Sequence, residues 1–244
     1  MSGSSTLVDP HGLLEYSVVF SDRSLNSMSD QFCMVMRDLS RLLKSMYRAE
    51  QLTIVPGGGT YGMEAIALQF AQDETCLIIR NGWFSYRWTQ ILERGHISSD
   101  VHVVSARQVL DQRQSPFRPP PIEEVVEHIH QQHPKAVFCP HVETSAGLML
   151  PDHYLREVAD AVHEVGGLFI LDCVASGMCV VDMESIGVDI LLTAPQKGFS
   201  STPCAALIMM SERARAVAAQ RESRSFANDL KKWMEIMERY VQGG

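Results

Sequence analysis

Apolar positions along the chain fall into two rhythms. Between residues 28 and 47 they recur every three to four residues (Phe32, Met36, Leu39, Leu43, Met46), which predicts an amphipathic helix over Met28–Tyr47. Beyond it come short, nearly unbroken apolar runs at Leu52–Val55, Cys76–Ile79, His102–Val104, Ala136–Cys139, Leu168–Leu171, Asp189–Leu192 and Cys204–Met210. Runs this short and this apolar read as strands buried on both faces. Helix-length stretches separate most of them, at Thr60–Ala71, Trp83–Arg94, Ile122–Gln132 and Asp152–Val165, and a further helix is expected over Phe226–Val241. Strands alternating with helices predict an α/β fold with a mainly parallel sheet sandwiched by helices. One connection departs from this rule. Between Leu191–Leu192 and Ala205–Ile208 there is no room for a helix, so these two are expected to run antiparallel. The stretch before the first helix and the proline-rich segment Arg107–Pro121 are expected to be irregular.

Composition narrows the classes of function. The 244 residues are 45% hydrophobic and 20% charged, enough to bury a sizeable core in one large domain or two small ones. The net charge is −8 and no basic block occurs, which disfavours nucleic acid and anionic membrane surfaces as partners. No apolar run approaches the ~18 residues of a membrane helix, and no secretory signal is visible, so a cytoplasmic protein is expected. The six cysteines form no C-x-x-C pair, and are read as small buried hydrophobes in a reducing cytosol rather than as disulfides or zinc ligands. His128, His130 and His133 lack a carboxylate or cysteine at ligand spacing. They are read as a solvated helix end before Pro134, and no metal is expected.

Candidate chemistry lies just after the apolar runs. Pro56-Gly57-Gly58-Gly59-Thr60-Tyr61-Gly62 follows a strand and opens a helix, where backbone N–H groups suit a phosphate. Gly57, Gly59 and Gly62 also match the dinucleotide fingerprint, although Arg80 stands where its acidic residue belongs. His141-Val142-Glu143-Thr144-Ser145-Ala146-Gly147 is either a helix-capping turn or a source of hydroxyls. Asp172 ends a fully apolar strand, either as a cap or as a ligand-binding carboxylate. Lys197, in Thr193-Ala194-Pro195-Gln196-Lys197-Gly198-Phe199, is either a surface turn residue or a buried amine suited to Schiff-base chemistry. Pyridoxal phosphate requires this combination. Its aldehyde needs an amine, its phosphate a helix N-terminus, and its ring nitrogen a carboxylate.

These motifs resemble, from Leu52 to Trp233, the large domain of class V aminotransferases of fold type I, the alanine–glyoxylate, serine–pyruvate and 2-aminoethylphosphonate transaminase group. The resemblance rests on Gly57-Gly58-Gly59-Thr60 through Glu64, Asn81-Gly82 with Arg87, His141-x-Glu143-Thr144-Ser145-x-Gly147, and Asp172-x-Val174-Ala175-Ser176. Gly187-x-Asp189, Gln196-Lys197, Ser225-Phe226 and Lys232-Trp233 complete it. Asp172 and Lys197 are 25 residues apart, close to the family spacing. The resemblance implies a seven-stranded mixed sheet, pyridoxal phosphate as cofactor, and transfer of an amino group from a small amino donor to a keto acid such as pyruvate or glyoxylate. It also implies a homodimer. By the same resemblance Lys197 is the Schiff-base lysine and Asp172 the partner of the pyridine nitrogen. Gly58, Gly59 and Thr60, with Gln196, form the phosphate cradle. Thr144 lies near the ring oxygen, and Phe84 stacks on the ring, where the cysteine-desulfurase branch has histidine.

Two departures accompany the match. The family's N-terminal Gly-Pro segment is replaced by Glu15-Tyr16-Ser17-Val18-Val19-Phe20. No Tyr-His-x-Thr-like segment and no small domain bearing a carboxylate-binding arginine follow the match. The expected organisation is therefore an N-terminal segment and helix (1–50) and a cofactor-binding large domain (51–244). Three alternatives stay open: a lyase or desulfurase using the same cofactor, an NADP-dependent oxidoreductase using the glycine loop, and a domain that binds the cofactor without turnover.

Overall fold

The computed structural model describes residues 26–242; the stretch containing Glu15–Phe20, expected to be irregular, lies outside them. In chain order the elements are α1 (Asp30–Tyr47), β1 (Gln51–Pro56), α2 (Gly59–Phe70), β2 (Cys76–Arg80), α3 (Tyr86–Arg94), β3 (Val101–Ser105), β4 (Arg107–Gln108), β5 (Phe117–Arg118), α4 (Ile122–Gln132), β6 (Ala136–Pro140), β7 (Val142–Glu143), β8 (Leu148–Met149), α5 (Asp152–Glu164), β9 (Leu168–Asp172), α6 (Met183–Ile186), β10 (Ile190–Thr193), β11 (Ala205–Met210), α7 (Glu212–Gln220) and α8 (Leu230–Gln242).

Seven strands form one sheet in the order β1-β11-β10-β9-β6-β2-β3. Strand β11 is antiparallel to both neighbours, and the other pairs are parallel, which is the mixed sheet expected. The antiparallel β10–β11 pair flanks Lys197, as the short connection required. Two apolar cores cover the sheet, one on each face. Phe169, Leu171, Leu191 and Met209 enter one core, while Leu168, Ile170, Leu192 and Ile208 enter the other. Alternate side chains of a strand point to opposite faces, so a strand covered on both sides must be apolar at every position.

Several boundaries differ from the sequence expectation, each for a local reason. Helix α3 begins at Tyr86 rather than Trp83 because Ser85 Oγ accepts hydrogen bonds from the Asn81 and Gly82 N–H groups and holds 81–85 as a turn. The segment 107–121 is not wholly irregular: β4 and β5 pair as a two-residue antiparallel ribbon. Helices α6 and α7 went unpredicted. The first is four residues long, and the second (ERARAVAAQ) lacks an apolar stripe and is started by Ser211 Oγ, which accepts the Ala214 N–H. Cys76, Cys139 and Cys173 are buried as expected, but Cys33 is half-buried and Cys179 and Cys204 are exposed, because the last two lie in connections rather than strands. No helix among the described residues is long and apolar enough to cross a membrane.

Candidate active site

Six strands run in one direction, so the loops after β1, β2, β6, β9 and β10 meet at one edge of the sheet, where open α/β sheets bind ligands. A cavity of about 280 Å³ opens there, near the lower end of the ~300–1,000 Å³ of small-molecule sites. Seven of the eight site residues expected from sequence line it: Gly59, Thr60, Phe84, Thr144, Asp172, Gln196 and Lys197. Gly58 lies behind the lining, buried, as the N-cap residue of α2. Met63, Arg87, Pro140, Val142, Val174 and Ala175 complete the wall. Of these, Arg87 belongs to the Asn81-Gly82 motif of the resemblance, which gives it no role.

The α2 N-terminus is built to stay open. Gly58 has φ 146°, no side chain caps the helix, and no acidic residue occupies its first turn. Its first N–H groups therefore lack intrahelical acceptors and keep their partial positive charge toward the cavity. A Cβ on Gly59 would meet Val174 Cγ2 at 3.3 Å, a tight contact that glycine avoids where the helix starts close to the loop after β9. Gln196 enters from the far side, and its Oε1 is buried with no hydrogen-bond partner among the described residues.

Asp172 stands where β9 ends. Burial pushes its carboxyl up to about 6, and nearby Glu143 adds to this; the Val174 N–H at 3.0 Å and the Arg87 guanidinium work in the opposite direction. Lys197 is exposed on the cavity wall, so the structure does not show an amine buried between two strands. Thr144 is exposed at the turn between β7 and β8, a short hairpin of two-residue strands in place of the helix-capping turn considered above.

Glu143, fully buried, holds the Phe84–Ser85 segment in place. It accepts the N–H groups of Phe84 (3.2 Å) and Ser85 (2.9 Å), the Ser85 hydroxyl (2.7 Å) and the Ser145 hydroxyl (2.6 Å). Burial acts to raise this carboxyl, but these hydrogen bonds outweigh it and hold Glu143 below its usual range. His141, with its ring nitrogen 2.8 Å from Ser176 Oγ, ties the same turn to the loop after β9.

Other candidates lose their context. In a dinucleotide-binding unit the strand after the glycine loop lies beside the first strand, whereas here four strands separate β1 from β2. Arg80 lies over the Tyr86 ring, 5.2 Å from its centroid, and lines a different hollow. A larger cavity, about 720 Å³, opens at the opposite edge of the sheet, where several of its charged groups pair with each other, as in Arg48–Glu184 and His163–Asp189. His130 lies 2.9 Å from Glu164, and no group of three potential metal ligands converges among the described residues.

No family model matches the chain. The (S)-ureidoglycine–glyoxylate transaminase of Bacillus subtilis is 28% identical over 219 residues, covering 88% of this chain and 49% of that protein. Alanine–glyoxylate aminotransferase of Rattus norvegicus is 26% identical over 214 residues, 85% of this chain and 49% of the relative. L-aspartate–glyoxylate aminotransferase of Paracoccus denitrificans is 30% identical over 178 residues, 72% and 43%. The crystal structure of the Bacillus subtilis ureidoglycine–glyoxylate aminotransferase matches with a TM-score of 0.76 at 25% identity, over 90% of this chain and 56% of that one. The homologues of this chain are class V aminotransferases of fold type I, and the solved structure agrees. The chain spans about half the length of the curated relatives it matches. A subgroup IV aspartate aminotransferase from Thermus thermophilus agrees, with a TM-score of 0.74 at 25% identity over 89% of this chain and 58% of that one.

Aminotransferases of this family use pyridoxal phosphate. The cavity of this chain fits that group. The uncapped helix start suits a phosphate, the raised Asp172 carboxyl lacks the donor that a ring nitrogen would supply, and Lys197 offers an amine on the same wall.

Proposed function

We propose that the protein is a pyridoxal-phosphate-dependent aminotransferase, moving an amino group from a small amino donor to a keto acid such as pyruvate or glyoxylate. The observation that carries this reading is one cavity lined by an amine, a buried carboxyl and an open helix N-terminus. The cofactor, when bound, supplies an aldehyde carbon and an electron-withdrawing ring. Lys197 presents Nζ as the nucleophile for that carbon and, once released, holds and moves the proton of the donor's α-carbon. Asp172 holds a proton on the ring nitrogen. Gly59, Thr60 and Gln196, with Gly58 shaping the turn, bind the phosphate, while Phe84 fixes the ring plane and Thr144 orients its hydroxyl. Glyoxylate stands in the names of all three relatives above, which supports a keto-acid acceptor; their donors differ.

The same reading takes residues 1–50 as an N-terminal segment and helix and 51–244 as the cofactor-binding domain. It also takes the protein as a homodimer, supported by the exposed Tyr61, Trp83 and Met149 beside the cavity edge. A cytoplasmic location is supported by six free cysteines. The test is to incubate the protein with pyridoxal phosphate, reduce with borohydride and map the label, then assay alanine with glyoxylate. Labelling at Lys197 with pyruvate formation is expected. An unlabelled Lys197 defeats the reading, and labelling without turnover on any donor reduces it to cofactor binding.

A further inference from the structure

We propose that Arg87 is the counter-charge for the cofactor's phosphate, an assignment that rests on the reading above and adds a residue to it. Arg87 is the second residue of α3 and lines the cavity beside Gly59, Thr60 and Gln196. Its guanidinium is held from two sides. Nη1 donates to Thr60 Oγ1 at 3.1 Å, on the first turn of α2, and Cζ lies 5.7 Å from the centroid of the Phe84 ring. Both contacts aim the group at the open helix start. Neither neutralises it, because a hydroxyl and a ring face carry no formal charge. Among the described residues Arg87 forms no ion pair, whereas Arg48, Arg107, Arg221 and Arg224 each do.

Charge balance in the cavity points the same way. The formally charged side chains on its wall are Asp172, Lys197 and Arg87. A phosphate monoester brings about −1.5 to −2 near neutral pH. Lys197 is committed to the aldehyde carbon and Asp172 to the ring nitrogen, which leaves Arg87 as the wall's uncommitted cation. Four of its five N–H donors have no partner among the described residues and are open to phosphate oxygens. The helix start, Thr60 and Gln196 supply dipoles; Arg87 supplies the net charge.

The test compares equilibrium binding of pyridoxal phosphate with that of pyridoxal, which lacks the phosphate, to the full chain. Arg87→Gln is expected to weaken pyridoxal phosphate about ten- to a hundredfold, the loss of a hydrogen bond to a charged group, while leaving pyridoxal within about threefold. Arg87→Lys, which keeps the charge, is expected to retain most of the preference for the phosphorylated ligand. Equal loss for both ligands overturns the assignment, because Arg87 then acts through Phe84 and the shape of the wall. So does unchanged binding, or a collapse of the preference in Arg87→Lys as complete as in Arg87→Gln. Wild-type protein in which borohydride fixes neither aldehyde at Lys197 defeats the parent reading, and this assignment with it.

Discussion

Replacing Asp172 by Asn should stabilise the cofactor-free protein, with a pH dependence that reports the buried carboxyl. Burial raises this group to about 6 in the fold, against an ordinary value of ~3.9. A difference of about two pH units at ~1.36 kcal/mol each puts the cost of the ionised form at about 3 kcal/mol. The sign follows from proton linkage. The folded state binds this proton more tightly than the unfolded chain, so the stability it gives is present below the unfolded value of ~3.9 and is lost as pH rises through about 6. Asn keeps an oxygen able to accept the Val174 N–H, which bonds Asp172 Oδ1 at 3.0 Å, and carries no charge. Urea unfolding of cofactor-free wild type and Asp172→Asn should therefore give closely similar stabilities at about pH 4 and a variant more stable by about 3 kcal/mol at about pH 7.5, at unchanged m-value. A difference that does not change with pH, or a variant that is less stable at the higher pH, refutes the reasoning. Pyridoxal phosphate should narrow the gap at the higher pH, because a ring N–H gives the wild-type carboxylate its missing partner.

Two further substitutions test the scaffold around the cavity. Glu143→Ala removes the acceptor shared by the Phe84 and Ser85 N–H groups and two hydroxyls; with each orphaned buried donor costing about 1–3 kcal/mol, a loss of about 3 kcal/mol or more is expected in urea, and a loss under about 1 kcal/mol refutes the clamp. Gly62→Ala places a Cβ 2.5 Å from Ala206 Cβ and 2.7 Å from Leu192 Cδ1, so α2 must lift off the sheet at a cost of about 1–3 kcal/mol; a variant as stable as wild type refutes that packing.

Much of the site was legible because its residues sit where the apolar pattern stops. A strand covered on both faces is apolar throughout, so Asp172 at its end and the glycines after β1 stand out in sequence. Contacts between distant loops were not legible. Nothing near Glu143 in sequence shows that it holds Phe84, 59 residues away. Arg87 lies three residues after Phe84, close enough to be suspected, yet its link to Thr60 joins the starts of two helices and appears only once both are packed on the sheet.

By itself, the sequence determined the layered α/β architecture and the reversal of β11, which follow from local periodicity and loop length, and it singled out seven cavity residues through chemical type together with the family resemblance. Tertiary structure alone decided the strand order, and with it the rejection of a dinucleotide site, because adjacency in a sheet depends on which strands pair across the whole chain. It also decided the exposure of Lys197 and the raised carboxyl of Asp172. Both depend on solvent access and on charges brought near by packing, and neither is a property of the residue or its neighbours in sequence.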